Sequence, residues 1–268
     1  MKLLLTLLTM ILFLTSGAAA ESGSDTLASI TRKGVLVAGV RESLPPFGSI
    51  DKKTGTYSGY DIDYVNALAQ KLAVKVKFVP TTPETRITML QNGTIDLIAA
   101  CMTQTRERAK QVDFSHVYFI TGQRFIARKG QFKNPRDFAG TTVGVVQGTT
   151  AGETLKKELP TTVARNYGNY RQALDALRKG EVQAVSTDEV LLLGLYLDMP
   201  DKEQYEIPRA QISGDALGIA VRKGDRRLHA FINTTLLEME KSGQADEIFN
   251  RWFGPGTPFE RPKNFNRR

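Results

Sequence analysis

The sequence predicts an α/β fold of two similar lobes joined by a two-strand hinge, with a cleft between them. Three observations predict it. Apolar runs of strand length alternate with helix-period segments through residues 35–100, and the alternation recurs through residues 142–186. The stretches Leu90-Gln-Asn-Gly93-Thr-Ile-Asp-Leu-Ile and Leu177-Arg-Lys-Gly180-Glu-Val-Gln-Ala-Val echo each other, each ending a helix at a glycine and entering a strand. A third echo, Arg124-Phe-Ile-Ala-Arg-Lys-Gly130 against Leu217-Gly-Ile-Ala-Val-Arg-Lys-Gly224, marks where the chain leaves and re-enters the first lobe. The expected division is residues 27–120 and 218–253 for lobe 1 and 121–217 for lobe 2, followed by a polar tail over 254–268.

Each element follows from local pattern. Thr26 to Lys33 reads as a short helix, and the apolar run Val35 to Val40 as a strand closed by the turn-rich Glu42-Ser-Leu-Pro-Pro-Phe-Gly48. Gly59-Tyr60-Asp61 opens a helix whose apolar positions Ile62, Val65, Leu68, Ala69 and Leu72 recur at helical spacing. Val74 to Val79 is a strand. Thr82-Pro83 predicts a helix start, with Thr as N-cap and Pro at the first helical position, and Ile95 to Ala100 forms the next strand. The second lobe repeats the scheme: strand Thr142–Val146, helix Thr150–Leu159, strand Val163–Arg165, helix Arg171–Lys179, strand Val182–Ser186. Helices over Arg227–Lys241 and Ala245–Trp252 complete the chain. Strands linked through helices imply right-handed crossovers and mainly parallel sheets.

The chain has 268 residues, 41% hydrophobic and 24% charged, which excludes a disordered, collagenous or disulfide-rich protein. Its formal charge is +8, but the basic residues are scattered. The densest cluster, Arg106, Arg108 and Lys110, has Glu107 inside it, so no nucleic-acid partner is expected. Lys2, the apolar run Leu3 to Leu14 and Ala18-Ala19-Ala20 make residues 1–20 a secretory signal peptide, cut before Glu21. Export of a soluble protein is therefore expected. Cys101 is the single cysteine, which rules out an intramolecular disulfide.

In open parallel sheets, ligands sit beyond the carboxyl ends of strands. Four predicted strand ends deliver polar residues: Arg41; Cys101, Met102 and Thr103; Gln147, Gly148, Thr149 and Thr150; and Thr187 with Asp188. Thr150 to Glu153 reads as a capping box, and free amides at that helix start also suit a carboxylate. No nucleotide-binding glycine motif is present. Arg108 could be solvated, Asp188 could merely cap the following helix, and Cys101 reads as a small buried thiol.

Taken together, Arg41-Glu-Ser-Leu-Pro-Pro-Phe47, Gly59-Tyr-Asp-Ile-Asp63, Arg86 to Gly93, Thr103-Gln-Thr-Arg-Glu-Arg108, Gly148-Thr-Thr150 and Thr187-Asp188 resemble the polar amino-acid-binding proteins of bacterial ABC importers. The resemblance covers nearly the whole chain after residue 20 and is nearest to the glutamate/aspartate-binding branch. It implies two Rossmann-like lobes of the type II periplasmic-binding-protein fold. It further implies that Arg108 grips a ligand α-carboxylate, that Asp188 takes the α-ammonium, and that Thr103 and the amides near Cys101 complete the clamp. Arg41 and Arg86 match positions that hold a side-chain carboxylate. Pro83 stands where that branch would have Ser, Tyr170 lies near a position expected to be His, and Cys101 replaces Ser; these departures leave the choice of dicarboxylate open. The implied role is capture of an acidic L-amino acid in the periplasm by hinge closure of a monomer and delivery to an ABC permease, with no cofactor or metal. An enzyme on the same scaffold, such as a dehydratase, would need an acid or base beyond the clamp, and none is visible. A ligand-sensing receptor component is the other alternative.

Overall fold

The computed structural model describes residues 25–265; the expected signal peptide lies outside them. Helix α1 (Thr26–Lys33) is capped by the Asp25 side chain and ends at Gly34 in the left-handed conformation. It leads into β1 (Val35–Val40), the apolar strand expected. The turn-rich stretch that follows is more ordered than expected, forming a small meander of β2 (Ser43–Leu44), β3 (Gly48–Ile50) and β4 (Tyr57–Ser58). Helix α2 (Tyr60–Lys71), strand β5 (Lys75–Pro80), helix α3 (Arg86–Gln91) and strand β6 (Leu97–Ala99) complete the βαβ units of the first lobe. The short helix α4 (Arg106–Ala109) and the long strand β7 (Val112–Thr121) carry the chain to the first crossing, and β8 (Gln123–Arg128) enters the second lobe.

There β9 (Thr142–Val146), α5 (Ala151–Glu158), β10 (Val163–Tyr167), α6 (Tyr170–Arg178), β11 (Ala184–Asp188), α7 (Glu189–Leu197) and β12 (Tyr205–Glu206) follow in order. Strand β13 (Asp215–Arg222) returns to the first lobe and is followed by α8 (Arg226–Ser242) and α9 (Gln244–Phe253). The division drawn at 217/218 thus falls inside β13.

Two five-stranded sheets result, ordered β5-β1-β6-β13-β7 and β10-β9-β11-β8-β12. In each, three parallel strands are followed by a reversed fourth strand, and the fifth runs antiparallel to the fourth, so each sheet is mixed, with one strand opposed to the other four. The sequence echoes occupy equivalent places. Strands β8 and β13 stand fourth in their sheets, each running antiparallel to the third. The chain crosses between lobes at Gly122 and again through residues 207–214.

Two boundaries differ from expectation for local reasons. Thr82 and Thr85 bond each other's side chains and amides, tying residues 82–85 into a turn, so α3 starts at Arg86 rather than Pro83. Thr150 makes no side-chain cap bond, so the capping box is not formed; the adjacent Thr149 hydroxyl donates to the Val146 carbonyl at 2.6 Å.

The lobes are packed together. Val146, Tyr170, Val190 and Leu191 of the second lobe belong to the same buried cluster as Phe47, Tyr60 and Phe119 of the first. Phe47 meets Phe119 edge-on, with ring centroids 5.1 Å apart, and Tyr60 and Phe253 extend this aromatic centre.

Candidate functional site

Strand ends converge between the lobes. Arg41 follows β1, Ala100, Cys101 and Thr103 follow β6, Thr149 and Thr150 follow β9, and Asp188 ends β11. Arg86 enters at the start of α3, Arg108 from α4 and Tyr170 at the start of α6. Together with Leu44, Pro83 and Leu191 they line one small, nearly filled pocket between the lobes, with ≈ 20 Å³ of free space. Arg41, Leu44 and Tyr170 also border a larger neighbouring cleft.

Nine of the eleven expected site residues therefore meet in this pocket. Two do not. Met102 points the opposite way along the chain from Cys101 and is fully buried beside Leu90, Ile95 and Ile98 in the first lobe. Gln147 is exposed, with its amide bonded to the Tyr167 carbonyl. Leu44, Ala100 and Leu191 were not expected, because an apolar side chain carries no chemical signal in sequence.

Three guanidinium groups are fixed by backbone carbonyls. Arg41 Nη1 donates to Thr81 O at 3.0 Å and Arg86 Nη1 to Ala100 O at 2.9 Å. Arg108 Nη1 donates to Thr103 O at 2.9 Å, while its Nη2 crosses the cleft to Gly148 O at 3.1 Å. These bonds orient the groups without neutralising them. The buried Nε atoms of Arg41 and Arg86 have no partner. Desolvation, followed by repulsion from Arg108 and Arg41, pulls the Arg86 guanidinium down to about 9. Burial likewise lowers Arg41 and Arg108.

Asp188 is the one carboxylate lining the pocket. Desolvation first, then the charge of Asp215, raises it to about 7, against the opposing pull of Arg108. Its side chain makes no cap bond to α7 and is left to the cleft. Tyr170 donates to or accepts from Thr187 Oγ1 at 2.8 Å, which holds its ring beside Arg41 at the pocket wall. Burial pushes the Cys101 thiol well up, the state of an inert thiol.

Beneath the pocket lies a carboxylate whose role the sequence did not disclose. Asp61, fully buried, accepts from the Cys101 amide at 2.8 Å and from the Tyr118 hydroxyl at 2.6 Å. Cys101 has φ +48, a left-handed conformation that non-glycine residues adopt at a cost. Asp61 thereby holds the β6 exit in the shape that presents Ala100 and Thr103 to the arginines. Among the described residues, no group of three or more His, Cys, Asp or Glu side chains is placed to hold a metal ion, and no helix is long and apolar enough to cross a membrane.

The sequence from residue 36 to 255 matches the model of bacterial extracellular solute-binding proteins, family 3. The chain belongs to this family. A glutamine-binding protein of an ABC transporter from Bacillus subtilis is 36% identical over 240 residues, covering 88% of this chain and 87% of its own. A glutamate/aspartate import solute-binding protein from Salmonella typhimurium is 32% identical over 282 residues, covering 98% and 91%. The solved structure of an ancestral arginine-binding protein bound to glutamine superposes with a TM-score of 0.76 at 40% identity, covering 82% of this chain and 98% of that one. Family 3 membership agrees with the resemblance read from the motifs, and the fold is that of amino-acid-binding proteins. These relatives are binding proteins, and this family 3 chain is one too, not an enzyme. The identities do not single out the glutamate/aspartate branch.

Proposed function

We propose that the protein captures an acidic L-amino acid, glutamate or aspartate, between its lobes and delivers it to an ABC permease. Arg108 holds the α-carboxylate with Thr103, Thr149 and Thr150, and Asp188 holds the α-ammonium. Arg41 and Arg86 hold the distal carboxylate, and Tyr170 and Leu44 pack along the side chain. The observation that carries this reading is the charge imbalance: three guanidinium groups and one carboxylate line the same pocket, two of them with unpartnered Nε–H groups. Buried like charges are costly unless an opposite charge joins them, and guanidinium donors match carboxylate geometry in pairs. A zwitterion satisfies Arg108 and Asp188 alone; a second carboxylate is needed to satisfy Arg41 and Arg86. Export to the periplasm through the signal peptide over residues 1–20 fits delivery to a membrane permease.

The test is calorimetry of Glu, Asp, Gln, Asn, Arg and His on wild type, Arg86→Ala and Arg108→Ala. Glutamate or aspartate should bind wild type far more tightly than its amide, which would leave a guanidinium donor facing an N–H₂. Arg86→Ala should weaken acidic ligands selectively, and Arg108→Ala should weaken every amino acid. The glutamine-binding relative motivates the second reading, a neutral amide ligand. Tightest binding by glutamine would establish that reading and reject the acidic one.

A further inference from the structure

The segment after α9 reads as a polar tail in sequence, yet it is built into the structure. Its amide at Arg261 donates to Phe253 O at 2.9 Å, and Lys263 pairs with Glu240 and Asp246 at 3.0 and 2.6 Å. Phe265 packs against Phe119 and Phe249, with ring centroids 5.5 and 5.9 Å apart. All five contacts anchor it to the first lobe. From that anchor it reaches the second. The Arg261 guanidinium lies over the Phe119 ring at 5.5 Å and pairs with Glu189, the first residue of α7, at 3.6 Å. Phe259 lies beside Gly194 on the same helix, where an added Cβ would come within 3.6 Å of its ring. On that face Gly194 also rests against Pro45 of the first lobe, whose carbonyl would stand 2.5 Å from the same Cβ.

Helix α7 is the element that carries Asp188 at its start and contributes Leu191 to the pocket. We propose that Arg261 and Phe259 are positioning residues: through α7 they seat Asp188 and bias the lobes toward closure, without touching the ligand. This rests on ligand capture by closure of the two lobes, not on which amino acid is captured. Glu189 keeps its second partner, Arg124, when Arg261 is removed, so the variants should fold. The contacts set how far α7 is drawn toward the first lobe, and a ligand held between lobes is released sooner when closure is less favoured.

The experiment measures L-glutamate and L-glutamine affinity, dissociation rate and radius of gyration for wild type, Arg261→Ala, Arg261→Lys and Phe259→Ala, with Arg86→Ala alongside. Arg261→Ala and Phe259→Ala should weaken both ligands by one common factor, about three- to tenfold, through faster dissociation and a larger liganded radius of gyration. Arg261→Lys should recover most of the loss, because the charge toward Glu189 returns. Arg86→Ala should instead change the ratio between the two ligands, and its failure to do so would count against the acidic-ligand reading alone. Unchanged affinity and radius in both tail variants would overturn the proposal. A fall in melting temperature with unchanged affinity would overturn it too, since the segment would then serve only stability.

Discussion

Arg108 and Gly148 meet across the cleft, the guanidinium Nη2 of the first lobe donating to the carbonyl of the second at 3.1 Å. The same guanidinium is anchored at home by Thr103 O, so one planar group is bonded to both lobes at once. Lysine cannot reproduce this, because its donors radiate from a point rather than lying in a fork. The clamp and the closing contact are thus one residue. Arg108→Ala or Asp188→Ala should abolish measurable amino-acid binding, since loss of one partner of a buried charge pair costs about 2–5 kcal/mol. Calorimetry on variants with native circular dichroism checks it; tight binding by either variant would remove that residue from the clamp.

Gly148 has φ +75, and a Cβ there would stand 2.8 Å from both Glu84 N and Pro83 C of the opposite lobe. Gly180 has the same φ of +75 but nothing within 4 Å of its added Cβ. Both Gly→Ala changes should cost about 1–2 kcal/mol of fold stability for the left-handed conformation. Only Gly148→Ala also clashes when the lobes are together. It should weaken ligand binding about tenfold or more, equivalent to about 1.4 kcal/mol, and enlarge the liganded radius of gyration. Gly180→Ala should bind as wild type does. Equal affinity in the two variants would mean that the Gly148 contact does not govern closure.

Much of this architecture was legible because apolar periodicity is local. Val35–Val40 and Thr142–Val146 are β-branched runs bounded by turn residues, and they form strands with those limits. The strand ends named the site through their polar residues, and the glycine echoes located equivalent strands. What was illegible depends on contacts distant in sequence. Asp61 reads as an ordinary acidic residue in a helix's first turn until folding brings Cys101 and Tyr118 to it. The terminal segment reads as polar because Arg261 and Lys263 dominate its composition, while their carboxylate partners lie in α7, α8 and α9. Met102 failed for a simpler reason: its side chain turns into the first-lobe core beside Leu90, Ile95 and Ile98, while Cys101 and Thr103 on either side of it line the pocket.

Asp61 predicts a pH-dependent stability. Desolvation raises its carboxyl from 3.8 to about 7, against bonds from Tyr118 and Cys101 that favour the ionised form. Between those values the folded chain holds a proton that the unfolded chain has released. Stability from this residue is therefore highest below pH 3.8, falls as pH rises through the window, and levels off above about 7. The whole effect is at most about 4 kcal/mol. Urea unfolding of ligand-free protein from pH 4 to 8 should show a shallower slope in Asp61→Asn, which keeps an acceptor for the Cys101 amide. Asp188 titrates over the same window, so the Asp61→Asn, Asp188→Asn double variant should be flatter still. A slope unchanged in both variants would show that neither carboxyl is raised.

Ligand binding should depend on pH in the opposite sense. Without ligand, desolvation and the Asp215 charge hold Asp188 protonated up to about 7. An ammonium placed against it favours the ionised form, so binding must expel that proton below this pH. Affinity should be flat above about pH 7 and fall by up to tenfold for each unit below it, the limit for one linked proton. Titrating L-glutamate in two buffers of different ionisation enthalpy at pH 6 measures the proton directly: close to one proton released per ligand is expected, against almost none at pH 8.5. Asp188→Asn should abolish the release together with most of the affinity. Proton release that persists in Asp188→Asn would assign it to another group, with Asp215 and Asp61 next in line because their carboxyls are raised as well. No release in wild type at pH 6 would mean that Asp188 is already ionised in the open cleft, stabilised there by Arg108 and water rather than by the incoming ammonium.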